Sequence, residues 1–141
     1  MPAPGTPFET FEHPADVGIV AYGADLPELF ANAARGMLHF MIDTHQVRAA
    51  QSRPLIVEAE DLEGLLVAWL NELLLVLNGD GFLPARFQVR TVSPVRLDAW
   101  LEGEPVDPQR HRFRLDVKAA TYHTLSVRRT NGWEARILFD V

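Results

Sequence analysis

The sequence predicts an α+β domain with two main helices packed on mostly antiparallel β-sheet. Three observations carry this: apolar residues at helical spacing from Leu26 to Met41, a leucine-rich helical run between Asp61 and Gly79, and alternating apolar and polar residues from Ala85 onward. With 141 residues, 48% of them hydrophobic and 23% charged, the chain has room for one domain around one core. The expected domain covers 8–141, after a disordered tail at 1–7 that lacks the basic and apolar regions of a secretory signal.

In chain order, short strands are expected at Gly18–Tyr22 and, later, Leu55–Ala59. Between them, Leu26, Leu29, Phe30, Ala33, Met37 and Met41 form one helical face. Asp25 is placed to cap this helix, Glu28 holds the reciprocal capping-box position, and Pro27 sits in the first turn, where its missing N–H costs nothing. Gly36, inside the helix, points to a close packing contact. The second helix runs from its cap Asp61 to Asn78, with Gly79 expected in the left-handed position that ends it. Its far half, Leu73-Leu-Leu-Val-Leu77, predicts a central helix covered by sheet and by the first helix. Asn71 and Glu72 interrupt the apolar run, so the Glu72 carboxylate either points out of the packing or has a partner.

The remaining elements read as strands. Residues 85–91 and 95–101 alternate on either side of Ser93-Pro94 and predict an antiparallel pair. Phe113, Leu115, Val117 and Ala119 predict a further strand, and Thr130-Asn-Gly-Trp133 predicts a type I′ hairpin between 125–129 and 133–139. In the last strand Trp133, Ala135, Ile137 and Phe139 point inward, leaving Asp140 outward.

Composition excludes several chemistries. With no cysteine, thiol nucleophiles, thiolate zinc sites and disulfides are out. A net charge of −6 and a pI near 5.3 argue against independent nucleic-acid binding. The most apolar stretch, 65–77, is short of the ~20 residues that cross a bilayer, so no membrane contact and a cytoplasmic location are expected. No phosphate-binding glycine loop, serine elbow, paired-histidine zinc helix or EF-hand occurs, and the five histidines lack metal-ligand spacing. His39, at the end of a helical pattern, reads as structural or surface. Arg86, Arg90, Arg110, Arg112, Arg114, Arg128 and Arg129 fall outward or in loops, as a solvated face or as a local basic patch.

Three segments could carry chemistry. His13 and Asp16 stand three residues apart on a loop bounded by Pro14 and Gly18, where Asp16 serves either a site or a turn. Lys118, the only lysine, shares six residues with Thr121, Tyr122 and His123, a grouping suited to phosphate or carboxylate. Asp140 lies beside the α-carboxylate of Val141, and that crowding is relieved by a hard divalent ion, by an arginine or by Lys118.

Five segments in order, His13-Pro-Ala-Asp-Val-Gly-Ile19, Leu29-Phe-Ala-Asn-Ala-Ala34, Leu65-Leu-Val-Ala-Trp-Leu-Asn-Glu-Leu-Leu74, Val117-Lys-Ala-Ala-Thr-Tyr-His123 and Ile137-Leu-Phe-Asp-Val141, together resemble the archease family. The resemblance implies an accessory factor rather than an enzyme: an activator that promotes GTP-dependent guanylylation and multiple turnover of an RtcB-type RNA ligase in tRNA splicing and RNA repair. It implies a divalent cation, Ca²⁺ first with Mg²⁺ or Mn²⁺ as alternatives, on Asp16, Asp140 and Val141. It also places Lys118, His13, His123 and Glu72 toward the partner or its nucleotide. GTP is reached through the ligase. Pro14 stands where many relatives have Thr, and Ala120 where many have Val; neither change removes a ligand. The competing expectations are a general chaperone or assembly module acting on nucleic-acid-processing proteins through its outward arginines and exposed apolar surface and, more remotely, a hydrolase using Asp16 and His13.

Overall fold

The structure, a computed structural model, describes residues 3–13 and 15–141, without the side chain of His13. Its elements are β1 (Phe8–His13), β2 (Asp16–Gly23), α1 (Leu26–Met41), β3 (Gln51–Glu58), α2 (Leu62–Asp80), β4 (Phe82–Ser93), β5 (Arg96–Pro105), β6 (Ala119–Ala120), β7 (Ser126–Arg129) and β8 (Trp133–Asp140). One antiparallel sheet has the order β1-β2-β8-β6, with β7 also on β8, and a second has the order β3-β5-β4. Two helices on antiparallel sheets give the α+β class that the sequence predicts.

Both helices start as their side chains dictate. Asp25 accepts from the Glu28 N–H at 2.9 Å and Asp61 from the Gly64 N–H at 2.7 Å, satisfying donors that have no partner inside the helix. Glu28 reaches back to the Ala24 N–H, one residue before the cap. At Gly36 a Cβ would press on the Ile19 and Phe8 side chains, so the missing methyl lets α1 sit close on the sheet. Trp69 lies fully buried and donates its indole N–H to the Phe30 carbonyl at 2.9 Å, which pins α2 to α1. By length and composition α2 could cross a bilayer, yet nine of its residues are buried in the protein core and it is the core helix of a globular domain.

Four expectations need correction. First, α2 continues to Asp80, and Gly81 rather than Gly79 takes the left-handed position, at φ 65°. Leu75, 61% exposed, shows that the apolar run is not covered on every side. Second, no strand forms over 113–118; only Ala119 and Ala120 join the sheet. The Arg114 N–H bonds Met41 O at the end of α1 and the Lys118 N–H bonds Asp140 O, so this segment spans two elements instead of following one. Third, neither Asn131 nor Gly132 has the positive φ that a type I′ turn requires. The loop spans 130–132, and Gly132 is needed there because a Cβ would meet the backbone of Gly23 and Ala24. Fourth, Arg110 is not on a solvated face: it pairs with the buried carboxylate of Glu104, which also accepts from the Arg48 N–H at 2.7 Å.

Candidate functional site

Strand order brings distant parts of the sequence together. Asp16 opens β2, Asp140 closes β8, and the two are register partners in the antiparallel ladder. Opposed residues of such a ladder share a face, with Cα atoms about 4.5–5.5 Å apart. Their neighbours Val17 and Phe139 are also partners and pack toward the core, Phe139 fully buried, so alternation turns both aspartates to the opposite face. Asp16 is half-buried and has a partner; Asp140 is exposed, as is Val141 after it.

The same row extends onto β6, where Ala119 is the partner of Asp140. The preceding residue, Lys118, gives its main-chain N–H to Asp140 O at 2.8 Å. Its exposed ammonium makes no ion pair with the described residues. Asn71 holds this edge from below: its amide donates to Ala120 O at 3.2 Å and accepts from Ala120 N–H at 2.8 Å. Sequence reasoning singled out Glu72 in that polar pair and passed over Asn71. A short amide on an otherwise apolar helix was the available signal, because it must find backbone partners when covered. Glu72 is half-buried on the same helix and makes no hydrogen bond or ion pair with the described residues.

Beyond β6 the chain turns sharply. Thr121 Oγ1 donates to Leu138 O at 3.2 Å and accepts from the His123 N–H at 3.3 Å. Thr124 follows with φ 53°, which a β-branched residue rarely adopts. His123 is exposed on this loop and has a partner. On the other flank, the His13 backbone pairs with Asp16, while the His13 side chain and Pro14 lie outside the described residues.

The carboxylates of these opposed residues and the main-chain oxygens of Val141 are donors of the kind that hard cations take. Among the described residues no group of three His, Asp or Glu side chains comes together, so a cation at this position would depend on main-chain and water oxygens for the rest of its shell.

The family model described as the Archease protein family (MTH1598/TM1083) matches residues 8–141. A curated Protein archease from Methanosarcina mazei is 36% identical over 146 aligned residues, covering 100% of both chains. Another, from Sulfurisphaera tokodaii, is 39% identical over 121 residues, covering 85% of this chain and 87% of that one. The solution structure of Methanobacterium thermoautotrophicum protein 1598 superposes with a TM-score of 0.82 at 35% identity, over 96% of this chain and 99% of its own. The crystal structure of an archease, described as a possible chaperone, from Thermotoga maritima gives a TM-score of 0.67 at 20% identity over 93% and 94% of the two chains; that likeness concerns the fold alone.

Proposed function

Since this chain belongs to the archease family, we propose that it is an accessory factor that promotes guanylylation and repeated turnover of an RtcB-type RNA ligase and is not itself a ligase. The observation that supports this most is the pairing of Asp16 with Asp140 across β2 and β8, with the Lys118 N–H on the same residue. In this reading Asp16, Asp140 and an oxygen of Val141 hold a divalent cation, Ca²⁺ first and Mg²⁺ or Mn²⁺ otherwise. When bound, the cation supplies positive charge beside an anionic partner group.

The residues of this chain then act by positioning. Lys118 presents a point charge to a phosphate or carboxylate of the ligase–GTP complex, and Asn71 fixes the short strand that follows it. In the same reading His123, His13 and Glu72 face the ligase or its nucleotide. Orientation and charge neutralisation are the main contributions a protein makes to phosphoryl and nucleotidyl transfer, which suits an activator without a nucleophile of its own.

The test is guanylylation of a purified RtcB-type ligase with GTP, under single and multiple turnover, with the intact chain and with Asp140→Ala. The expected result is stimulation by the intact chain and none by the variant at equal thermal stability. Equal stimulation by both would remove the aspartate site from the mechanism. No stimulation by either, with a ligase shown to be the natural partner, would favour a chaperone role independent of metal. Calcium titration followed by amide NMR checks the cation, with shifts expected at Asp16, Asp140 and Val141.

A further inference from the structure

A second charged site lies on the helix-covered side of the β1-β2-β8 sheet. A cavity of about 690 Å³ opens between α1, the start of β1, β4 and the turn at 43–47. Three arginines line it, Arg35 from α1, Arg86 from β4 and Arg114 from the irregular segment before β6, together with His39 and, at its mouth, His45, whose side chain is 95% exposed. Among the described residues its only carboxylate is Asp43, already engaged by the His45 N–H and Nδ1, each at 3.0 Å. The His45 N–H, then its imidazole, with a smaller contribution from Arg114, hold the Asp43 carboxyl below its ordinary range. In a chain of net charge −6, three arginines converging from separate elements are a local reversal of sign that an anion would relieve.

Local structure orients these groups. Arg35 donates to Asn32 Oδ1 at 2.6 Å, and Asn32, itself buried, donates to Tyr22 O at 2.7 Å. Arg114 donates to His39 O at 2.7 Å. The β4 ladder skips Ala85 between Pro84 and Arg86, and this bulge lets Ala85 and Arg86 line the cavity together, although strict alternation would separate them. Arg86 makes no hydrogen bond or ion pair with the described residues, so its donors remain available. Beside the arginines stand the rings of Phe8 and His39, with centroids 5.5 Å apart and planes tilted by 56°, so that a ring face lies next to the cationic groups. The turn at 44–47 is braced from behind, because Gln46 takes the Arg110 guanidinium on its carbonyl at 2.9 Å and the Arg112 N–H on its side chain at 3.1 Å.

We infer that this cavity is a mononucleotide site, with Arg35, Arg86 and Arg114 on the phosphates and Phe8 with His39 against the base. Guanidinium forks match phosphate oxygens, the flanking rings suit a planar heterocycle, and the volume is that of a small-molecule pocket. This site is separate from the Asp16–Asp140 pair and stands without it.

The test is titration of the full chain with ATP, GTP and pyrophosphate, and with a short single-stranded RNA, by calorimetry and amide NMR. Saturable one-to-one nucleotide binding is expected, with shifts at Arg86, Arg114 and His39. Arg86→Gln should weaken it about tenfold or more, as removal of a charge-assisted contact does, at unchanged melting temperature. Arg35→Gln should act in the same direction, and Asp140→Ala should leave nucleotide affinity unchanged. Absence of saturable binding at millimolar nucleotide, or affinity indifferent to Arg86→Gln, would overturn the site. Pyrophosphate binding as tightly as nucleotide would overturn the base contact. Tighter binding of the RNA with the same Arg86 dependence would reassign the cavity to an RNA strand.

Discussion

The acidic pair and the basic cavity are built in different ways. Asp16 and Asp140 meet because two neighbouring strands run antiparallel in one register, so nothing beyond strand order is needed. Arg35, Arg86 and Arg114 meet because a helix, a bulged strand and an irregular crossing segment arrive at one place. Ladder sites are therefore fixed by local pairing and tolerate substitution of their outward side chains. Sites assembled from three elements depend on everything that braces those elements. One stretch of chain touches both: Arg114 lines the cavity with its N–H on Met41 O, and Lys118, four residues later, bonds Asp140 O.

Substitutions test this contrast. The largest effect is expected from Asp140→Ala, which should abolish stimulation of the ligase in the guanylylation assay. Its side chain is exposed, so its stability, measured by thermal melting, should stay within about 0.5 kcal/mol of the parent. A variant that unfolded would show that the ladder site is not as tolerant as its construction implies.

Glu104→Gln should act through the brace behind the cavity. Glu104 is 6% exposed and joins Arg110, the Arg48 N–H and His111 Nε2, whose proton is placed there because Nδ1 accepts from the Asp107 N–H. Breaking such a buried cluster should cost about 3 kcal/mol in denaturant unfolding. The ion pair and hydrogen bond from Arg110, aided by the Arg48 N–H and His111 and opposed by burial, hold the Glu104 carboxyl at about 2, against an ordinary 4.5. A carboxyl so depressed contributes its stabilisation in full above its unfolded value. That contribution drains away as pH falls from 4.5 toward 2, and Glu104→Gln should flatten that part of the stability profile.

Asn71→Ala removes both bonds to Ala120 and should cost roughly 2 kcal/mol, because the strand's N–H and C=O lose their partner. It should also weaken ligase stimulation by loosening the segment that carries Lys118, which an assay on the folded variant would read. Arg86→Gln should disturb stability as little as Asp140→Ala does, because its side chain is exposed and unbonded to the described residues; unfolding should shift by less than about 0.5 kcal/mol. Loss of nucleotide binding in Asp140→Ala, or of ligase stimulation in Arg86→Gln, would show that the two sites work as one.

The sequence made the ladder site far more legible than the cavity. Alternation through Trp133, Ala135, Ile137 and Phe139 predicted that Asp140 faces outward, and both helix caps were written in Asp25 and Asp61. Which strand lies beside β8 is a tertiary outcome, so periodicity alone could not pair Asp16 with Asp140; the family resemblance brought those two residues together. Arg86 and Arg114 were visible only as members of a long set of arginines, Arg35 was passed over, His39 was read as structural or surface, and His45 only as one of five histidines without metal-ligand spacing. Their convergence needs the Ala85 bulge and the path of 113–118, and neither leaves a mark in hydrophobic periodicity. The expected strand at 113–119 failed for that same reason, since its alternation was real but its ends were bonded elsewhere.

β8 is the last element in chain order and yet an inner strand of its sheet, flanked by β2 on one edge and by β6 and β7 on the other. As the chain leaves a ribosome, both helices and the β3-β5-β4 sheet can form while β2 still presents a bare edge to its surroundings. Only when 133–140 emerges does the β1-β2 hairpin gain its neighbour, by contacts that span more than a hundred residues of sequence. Nascent chains stalled before that point should therefore be the aggregation-prone species, and the same late strand completes the aspartate pair.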